Sequence, residues 1–541
     1  MGRLCDGTLI VSGIRLPLDA LEGDVYFRAK KELARLGILS DGARFHIYRR
    51  SVDARRKDDV RFVWSVAVQC QLTQKQMDRV SQGHYSSVSL LKEGTIPAPM
   101  GKETLTAPPL VVGSGPAGLF CALLLARNGY RPTLIERGGT VEERRRAIDV
   151  FSKTRQLDTE TNVQFGAGGA GTFSDGKLVT RVNDPLGSFV MQTFVDFGAP
   201  EEILTLAKPH IGTDILSGIV DRMVGEIEAL GGRVLFHTRL EGFVKEGTRI
   251  TAALTTAGEL PAGAVVLAVG HSARDTYEML LREGYIMEAK PFSVGVRVEH
   301  LQEDIDRALY GKFAGHPALG HAEYSLSHDT KNRGVYSFCM CPGGYVMAAT
   351  SEEGGVVVNG MSYHARDGRN ANSAIVASIF PSDYGATPQA AIAMQRDIER
   401  RAFLAGGGTY ATPLTTMGDF LNDRRGTAPA RILPTYMGGD AFVLSHPEEY
   451  LPSYVTSALK GALGAFERHI QGFTTPDALL SGAETRTSAP IRIVRGKDTR
   501  TAVGTANLYP TGEGAGYAGG ITSAAIDGLH TAIAIMETYR A

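Results

Sequence analysis

The chain lacks the features that mark membrane proteins and disulfide-rich secreted proteins. None of its apolar runs approaches the roughly 20 residues that a transmembrane helix needs, and Leu119–Ala126 is short enough to predict a core helix. The five cysteines have no regular spacing, which favours a reducing compartment. The N-terminus has no charged start followed by an apolar core, so we expect a cytoplasmic protein without membrane insertion.

Several kinds of catalytic signature are also absent from the sequence. There is no Ser-His-Asp constellation, HExxH motif, Walker loop or paired-carboxylate spacing, and we predict no metal site. A net charge of -1 argues against binding of polyanions by the whole molecule. Hydrophobic content of 43% and charged content of 21% are typical of soluble globular proteins, and 541 residues predict two or three domains.

A glycine-rich segment, Val111–Gly118, is the most informative feature that is present. It follows a short apolar run, precedes an apolar helix and is succeeded by a second strand that ends at Glu136 and Arg137. In a dinucleotide fold, Gly113 would form the turn, Gly115 would admit a pyrophosphate and Gly118 would let the helix pack closely. Glu136 lies roughly 20 residues further on, where a carboxylate accepts ribose hydroxyls. The pattern, which we call the dinucleotide fingerprint, predicts a dinucleotide site.

A second motif near the C-terminus indicates which dinucleotide. A strand ends in a turn containing Gly512 and Glu513, and a helix starts near Ile521. The acid is typical of a ribityl contact, and the helix would direct its positive end at a flavin ring. Together the two motifs favour FAD over NAD. The predicted FAD contacts are Gly113, Ser114, Gly115, Pro116, Ala117, Gly118, Glu136, Arg137, Gly168, Gly169, Thr172, Val244, Ala268, Gly270, Gly512, Glu513, Gly520 and Ile521.

The pattern of strands and helices predicts an α/β protein. We expect a two-dinucleotide-binding-type, Rossmann-like FAD domain with an inserted, mainly antiparallel β cap domain for the substrate. We expect a small N-terminal α+β module that fits a ferredoxin-like strand order, followed by a Pro-containing linker. The predicted domains are 1–100 for the module, 107–285 and 456–541 for the FAD domain, and 286–455 for the cap.

With these motifs placed, the chain resembles an uncharacterised family of bacterial and plastid FAD-dependent dehydrogenases. The specific stretches are Phe165–Leu178, Gly334–Gly344, Asn359–Tyr363, Glu484–Thr487 and Arg50–Arg55, and the resemblance covers nearly the whole length. It implies FAD and an oxidoreductase, and it implies no particular substrate. At Thr511 the chain departs from the small residue that the resemblance leads us to expect.

Four side chains are candidates for catalysis. Arg297 lies on a predicted strand and would clamp an anion or pair with Glu299. Cys339-Met340-Cys341 would form a redox pair, contribute to the substrate pocket or only pack, and we select Cys341 as the functional thiol. The other candidates are Tyr363 as a proton donor and Arg366 as a carboxylate or phosphate clamp.

The leading hypothesis is an FAD-dependent oxidoreductase that transfers a hydride to or from a small unsaturated or carbonyl-adjacent substrate. No second dinucleotide fingerprint is present, so NAD(P)H or another external donor would reduce the flavin transiently. The alternative is an RNA-modifying flavoenzyme with a basic N-terminal module, although interleaved aspartates argue against nucleic acid. The basic residues are Arg44, Arg49, Arg50, Arg55, Arg56, Lys57 and Arg61.

Overall fold

The computed structural model describes residues 4–38, 42–91, 96–180, 182–331 and 333–541. The chain divides into two compact units. The first unit comprises Met1–Ile96, Asn183–His210 and Asp306–Ala322, and the second comprises Pro97–Val182, Ile211–Ile305 and Glu323–Ala541. In the described residues, no helix is both long and apolar enough to cross a membrane.

The first unit contains a four-stranded antiparallel sheet with two helices. In sequence the order is strand, helix, strand, strand, helix, strand, and in the sheet the strands lie in the order second, third, first, fourth. This order is ferredoxin-like, as predicted from the alternation of apolar residues. The elements are Leu4–Leu16, Glu22–Arg35, Arg44–Asp53, Arg61–Thr73, Gln74–Ser81 and Val88–Leu90.

The first unit is not limited to the N-terminal 100 residues. The backbone of Arg50 pairs with Thr205 and Ala207, which belong to a later part of the chain. Phe313 and Leu319, from a third part, pack against the core of the sheet. The predicted boundary at residue 100 therefore missed two segments, because each is short and has no motif that would associate it with a distant sheet.

The second unit has a five-stranded parallel sheet at the centre of its nucleotide-binding part. The order across the sheet is Leu508–Pro510, Val265–Leu267, Leu110–Val112, Thr133–Ile135 and Arg233–Leu235. The fingerprint helix, Pro116–Arg127, is buried around its whole circumference, which explains its uniformly apolar sequence. It packs beside the C-terminal helix, Ile521–Thr538. A three-stranded antiparallel sheet is formed by Leu240–Glu246, Arg249–Thr255 and Gly258–Pro261.

A seven-stranded sheet forms the predicted cap. Its order is Ser327–Thr330, Arg333–Cys341, Asn370–Ile379, Phe292–Leu301, Leu479–Glu484, Thr412–Thr416 and Phe442–Leu444. All its pairs are antiparallel except the last, which is parallel. Because Leu479–Glu484 lies inside this sheet, the chain returns to the nucleotide-binding part after residue 484 rather than at the predicted residue 456.

The remaining elements are short strand pairs and flanking helices. The pairs are Tyr345–Ala348 with Val358–Met361, Met287–Ala289 with Ile491–Ile493, and Glu103–Thr104 with Tyr539–Arg540. The other helices are Val141–Thr154, Leu186–Asp196, Thr213–Ala229, Arg274–Arg282, Gln302–Tyr310, Pro388–Ala405, Met417–Leu421 and Ser453–His469.

Candidate functional site

A cavity of about 340 Å³ lies in the second unit, at the carboxyl ends of Leu110–Val112 and Val265–Leu267. We call it the central cavity. The fingerprint turn, the C-terminal motif and the cap all contribute to its wall. Twelve of the predicted cofactor contacts line it, namely Gly113, Gly115, Pro116, Ala117, Glu136, Arg137, Gly169, Ala268, Gly270, Glu513, Gly520 and Ile521.

The three fingerprint glycines occupy different surroundings. Gly113 has φ +98°, and a Cβ there would lie 2.4 Å from the Ala268 carbonyl oxygen. A Cβ on Gly118 would lie 1.8 Å from the Gly113 carbonyl oxygen, so helix and turn pack too closely for a side chain. At Gly115 the nearest atom to an added Cβ is 3.9 Å away, and the residue faces the cavity. Two of these glycines are therefore required by protein packing, and the third leaves space for a ligand.

Glu136 anchors the loops around the edge of the cavity. One carboxylate oxygen accepts hydrogen bonds from the Ser114 backbone N–H at 2.9 Å and the Ser114 hydroxyl at 2.7 Å. The other accepts from the backbone N–H groups of Gly138 at 3.1 Å and Gly166 at 3.0 Å. The side chain is buried but borders the cavity. The carboxylate thus has a positioning role that its place in the fingerprint did not reveal.

Arg144 fixes the glycine-rich loop that follows. Its guanidinium is fully buried and donates to the carbonyl oxygens of Asn162, Val163, Ala167 and Gly169 over 2.5–3.1 Å. Burial lowers its pKa to about 9, although the Glu136 carboxylate opposes the shift. We did not predict this residue, since a single arginine on an amphipathic helix resembles any solvated one.

Six predicted cofactor contacts do not line the cavity. Val244 lies in the three-stranded sheet opposite Ala252, and Thr238 and Leu240 reach the cavity instead. The other five are also absent from the residues that line the cavity. They are Ser114, Gly118, Gly168, Thr172 and Gly512.

The C-terminal motif brings Glu513 and a helix N-terminus to the cavity. Burial raises the pKa of Glu513 to about 7, although Lys290 opposes the shift. An added Cβ on Gly519 or Gly520 would meet no atom within 4 Å, so the glycines leave open space there. The preceding turn is fixed by Asp527, which accepts the Gly512 backbone N–H at 2.7 Å.

We expect Glu513→Gln to stabilise the apoprotein increasingly as pH rises. The folded-state pKa of Glu513 is raised above the unfolded value. The folded protein therefore loses stability as the pH rises from about 4.5 to 7, because ionisation of the carboxyl group is easier in the unfolded chain. Glutamine does not ionise, so the variant does not lose this stability. The stabilisation at pH 8 should be about 3 kcal/mol in urea unfolding and close to zero at pH 4.5. Equal stabilisation at both pH values would contradict this account of the carboxyl group.

Arg366 and Asp175 form an internal ion pair next to the cavity. The Arg366 guanidinium donates to both oxygens of Asp175, at 3.1 and 2.6 Å, and to Glu323 at 2.6 Å. Asp175 lines the cavity and Arg366 does not. Because its guanidinium is engaged with Asp175 and Glu323, Arg366 holds Asp175 in place and does not act as the predicted clamp for a substrate carboxylate or phosphate. Lys177 also lines the cavity, with its ammonium nitrogen 3.7 Å from Asp175.

Arg297 is also paired internally, although with a partner other than the predicted Glu299. It donates to both carboxylate oxygens of Glu484 at 2.9 and 3.1 Å and to the Asn372 side chain at 2.8 Å. Arg297 is fully buried and does not line the cavity, whereas Glu484 does. Because its guanidinium is engaged in these hydrogen bonds, Arg297 orients Glu484 and does not act as the predicted anion clamp.

The structure also separates the other two catalytic candidates from the cavity. Tyr363 is 43% exposed and lies outside the wall, where it packs against Tyr345. Cys341 is fully buried, and Cys339 lines the cavity in its place. A break in the strand's pairing between Phe338 and Cys341 gives the two cysteines different surroundings.

A buried network of charged side chains next to the cavity could not be predicted from the sequence. Glu399 pairs with Arg274 at 2.7 Å and with Arg486 at 3.0 Å, and Arg486 lines the cavity. The two guanidinium groups outweigh burial and hold the Glu399 pKa well below its usual range. Burial, reinforced by these arginines, lowers the pKa of His271 to about 3, so the imidazole at the wall is neutral.

The basic residues of the first unit are largely paired within it. Arg55 pairs with Asp53 at 2.6 Å and Arg61 with Asp59 at 2.8 Å. The Arg50 guanidinium lies over the Phe62 ring, 4.9 Å from its centroid. These contacts offer no support for a phosphate-binding surface. Among the described residues, no group of three or more His, Cys, Asp or Glu side chains is arranged to hold a metal ion.

Two known families match this chain. Residues 106–260 match the FAD binding domain, and residues 291–487 match the FAD-dependent protein, C-terminal domain-like family. An uncharacterised protein of Clostridium beijerinckii is 44% identical over 533 residues, which cover 98% of each chain. The fold and the matched domains define an FAD-binding flavoprotein. The chain belongs to this uncharacterised family of FAD-dependent oxidoreductases.

Solved structures are more distantly similar. L-amino acid deaminase from Proteus vulgaris is 12% identical, with 83% of this chain and 97% of that chain covered and a TM-score of 0.32. A geranylgeranyl bacteriochlorophyll reductase-like protein from Thermoplasma acidophilum is 11% identical, with coverage of 80% and 79% and a TM-score of 0.34.

Proposed function

We propose that FAD binds along the central cavity, from Glu136 at one end to Glu513 and Gly520 at the other. The main observation in support is that a single cavity is lined by the fingerprint turn, the C-terminal motif and the cap. In this arrangement the pyrophosphate lies at the N-terminus of the fingerprint helix, whose free N–H groups favour anions. The ring end then faces the C-terminal helix and the cap.

The cavity wall suits such a ligand because side chains are missing where the ligand would approach most closely. Gly115, Gly519 and Gly520 each leave open space that a Cβ would enter. Glu136 borders the proposed ribose position. Glu513, with a raised pKa, could donate or accept a hydrogen bond to a ribityl hydroxyl. These features would hold the extended, uncharged ribityl chain between the two ends of the bound FAD.

We further propose a small unsaturated or carbonyl-adjacent substrate between the flavin and the cap. FAD supplies hydride transfer when it is bound. Phe338 and Asn359 from the cap line the cavity, as does Arg486, which follows the last cap strand. Lys177 is the cation best placed to receive a substrate carbonyl or carboxylate, because its buried ammonium nitrogen has no hydrogen-bond partner in the described part of the chain. An external donor such as NAD(P)H would reduce the flavin, as the sequence has one fingerprint.

Anaerobic absorbance measurements test this function. Holoprotein should be bleached by NADH or NADPH, and the flavin colour should return on adding an α,β-unsaturated ketone or a quinone as the acceptor probe. If neither NADH nor NADPH reduces the flavin, NAD(P)H is excluded as the donor. If chemically reduced holoprotein is reoxidised by none of the acceptors, the proposed substrate class is wrong.

We expect Lys177→Met to weaken acceptor binding without releasing FAD. Loss of a hydrogen bond to a charged group should raise the KM for the acceptor at least about tenfold. Lys497→Met removes a charge from an exposed position and serves as the control. An unchanged KM in the Lys177 variant would show that the ammonium group does not contact the substrate.

A further inference from the structure

Cys339 differs from the neighbouring Cys341 in its access to the central cavity. Cys339 lines the cavity, whereas Cys341 is fully buried. In a regular strand two residues at i and i+2 face the same side. Here the pairing with Asn370–Ile379 shifts between Phe338 and Cys341, and Cys339 has φ +46°. This bulge gives one thiol to the cavity and the other to the core.

The unusual backbone conformation of Cys339 is held by two hydrogen bonds. Its carbonyl oxygen accepts from the Arg297 guanidinium at 3.2 Å and from the Cys341 thiol at 3.3 Å. Left-handed conformations of non-glycine residues persist where their surroundings enforce them, and they concentrate at functional sites. Arg297 is itself fixed by Glu484, so the support extends into the core.

The charges around Cys339 favour its thiolate. The Cys341 thiol lowers the pKa of Cys339 most, burial raises it, and Arg297 and Lys177 lower it further. Asp175 opposes the shift, and the nearby Glu513 carboxyl interacts unfavourably with a thiolate. The net direction is downward, below the usual thiol range. The pKa of Cys341 is raised by its interaction with the Cys339 thiol and by burial.

We propose that Cys339 is a thiolate in the resting protein and contacts the oxidised flavin as a charge donor. The proposal rests on the placement of FAD in the central cavity. The Lys177 ammonium group, which lies 3.7 Å from Asp175 and has no hydrogen-bond partner in the described part of the chain, is the counter-charge on the cavity side, and Arg297 is the counter-charge on the core side. Cys341 is a positioning residue that keeps the proton of the pair.

Alkylation of the wild-type apoprotein tests the thiolate without depending on FAD. Iodoacetamide labelling is followed over pH 5 to 10, and the modified cysteine is identified by mass spectrometry. We expect Cys339 to react first, with a midpoint below the roughly 8.5 of a free thiol. Cys121 is fully buried and should stay unlabelled in the folded protein. A midpoint at or above that of a free thiol, preferential labelling of Cys341, or recovery of a Cys339–Cys341 disulfide would overturn the proposal.

The holoprotein spectrum tests the contact with the flavin. We expect a long-wavelength absorbance band that disappears on acidification with the midpoint of Cys339. Cys339→Ser should remove the band while FAD stays bound, Cys341→Ala should raise the midpoint, and Cys70→Ser should change neither. Persistence of the band in Cys339→Ser would exclude the contact. A wild-type protein that binds no FAD would refute the proposed function, while the alkylation profile of the apoprotein would still report on the thiolate.

Discussion

Replacing Gly115 by valine should abolish FAD binding while the apoprotein still folds. The backbone of Gly115 has φ -68°, which valine adopts, and the nearest protein atom to an added Cβ is 3.9 Å away. The new side chain would enter the space at the N-terminus of the fingerprint helix, where we place the pyrophosphate. We expect the FAD dissociation constant to rise at least about a hundredfold, by analogy with a steric clash of several kcal/mol.

Gly118→Val is the matched comparison, because the same substitution three residues away meets the protein instead of the ligand. Its Cβ would lie 1.8 Å from the Gly113 carbonyl oxygen, so the helix must move away from the turn. This variant should lose stability in the absence of FAD. The pair is measured by FAD titration and by melting of the apoproteins. If Gly115→Val binds FAD normally, the pyrophosphate does not lie at this helix.

Glu399→Gln should cost about 3–5 kcal/mol of stability at pH 7, since it removes the buried carboxylate shared by Arg274 and Arg486 and leaves Arg274 paired with the partly exposed Glu352. Glu399, Arg274 and Arg486 are each almost fully buried. Urea unfolding of the apoprotein measures the loss. Glu352→Gln is the control, because Glu352 is 31% exposed and pairs with the same Arg274, and it should cost about 1 kcal/mol or less.

The effect of Glu399→Gln should depend on pH. The arginines depress the folded-state pKa of Glu399, so its contribution is present above the unfolded value of about 4.3 and is lost as pH falls below it. The stability difference between wild type and variant should therefore be constant from pH 6 to 8 and shrink below about pH 4. A difference that is small at pH 7 would show that the network contributes little to stability.

The sequence predicted well those parts of the site that depend on backbone geometry. Gly113 is required by its positive φ in the turn, and Gly118 by its close approach to the Gly113 carbonyl oxygen, so the spacing within one strand–turn–helix unit was enough to identify them. The start of the C-terminal helix near Ile521 followed in the same way from a run of glycines before an apolar periodic segment. Each of these features is encoded within about twenty residues of sequence.

The side chains that act through distant partners could not be predicted in this way. Arg297 and Glu484 are 187 residues apart, and Arg274 and Glu399 are 125 apart. Nothing in a local pattern distinguishes these arginines from ones that bind a substrate. For Cys339 and Cys341, regular strand geometry predicted that both would face one side, and the bulge between Phe338 and Cys341 reversed the choice of thiol.

The most direct test of this account is a crystal structure of the protein with FAD bound. We predict the pyrophosphate within hydrogen-bond distance of the backbone N–H groups that follow Gly115. We predict the ribose next to Glu136 and the flavin ring between the N-terminus of Ile521–Thr538 and the wall that carries Lys177 and Cys339. A flavin ring at the Glu136 end, or FAD bound outside the central cavity, would contradict the proposed site.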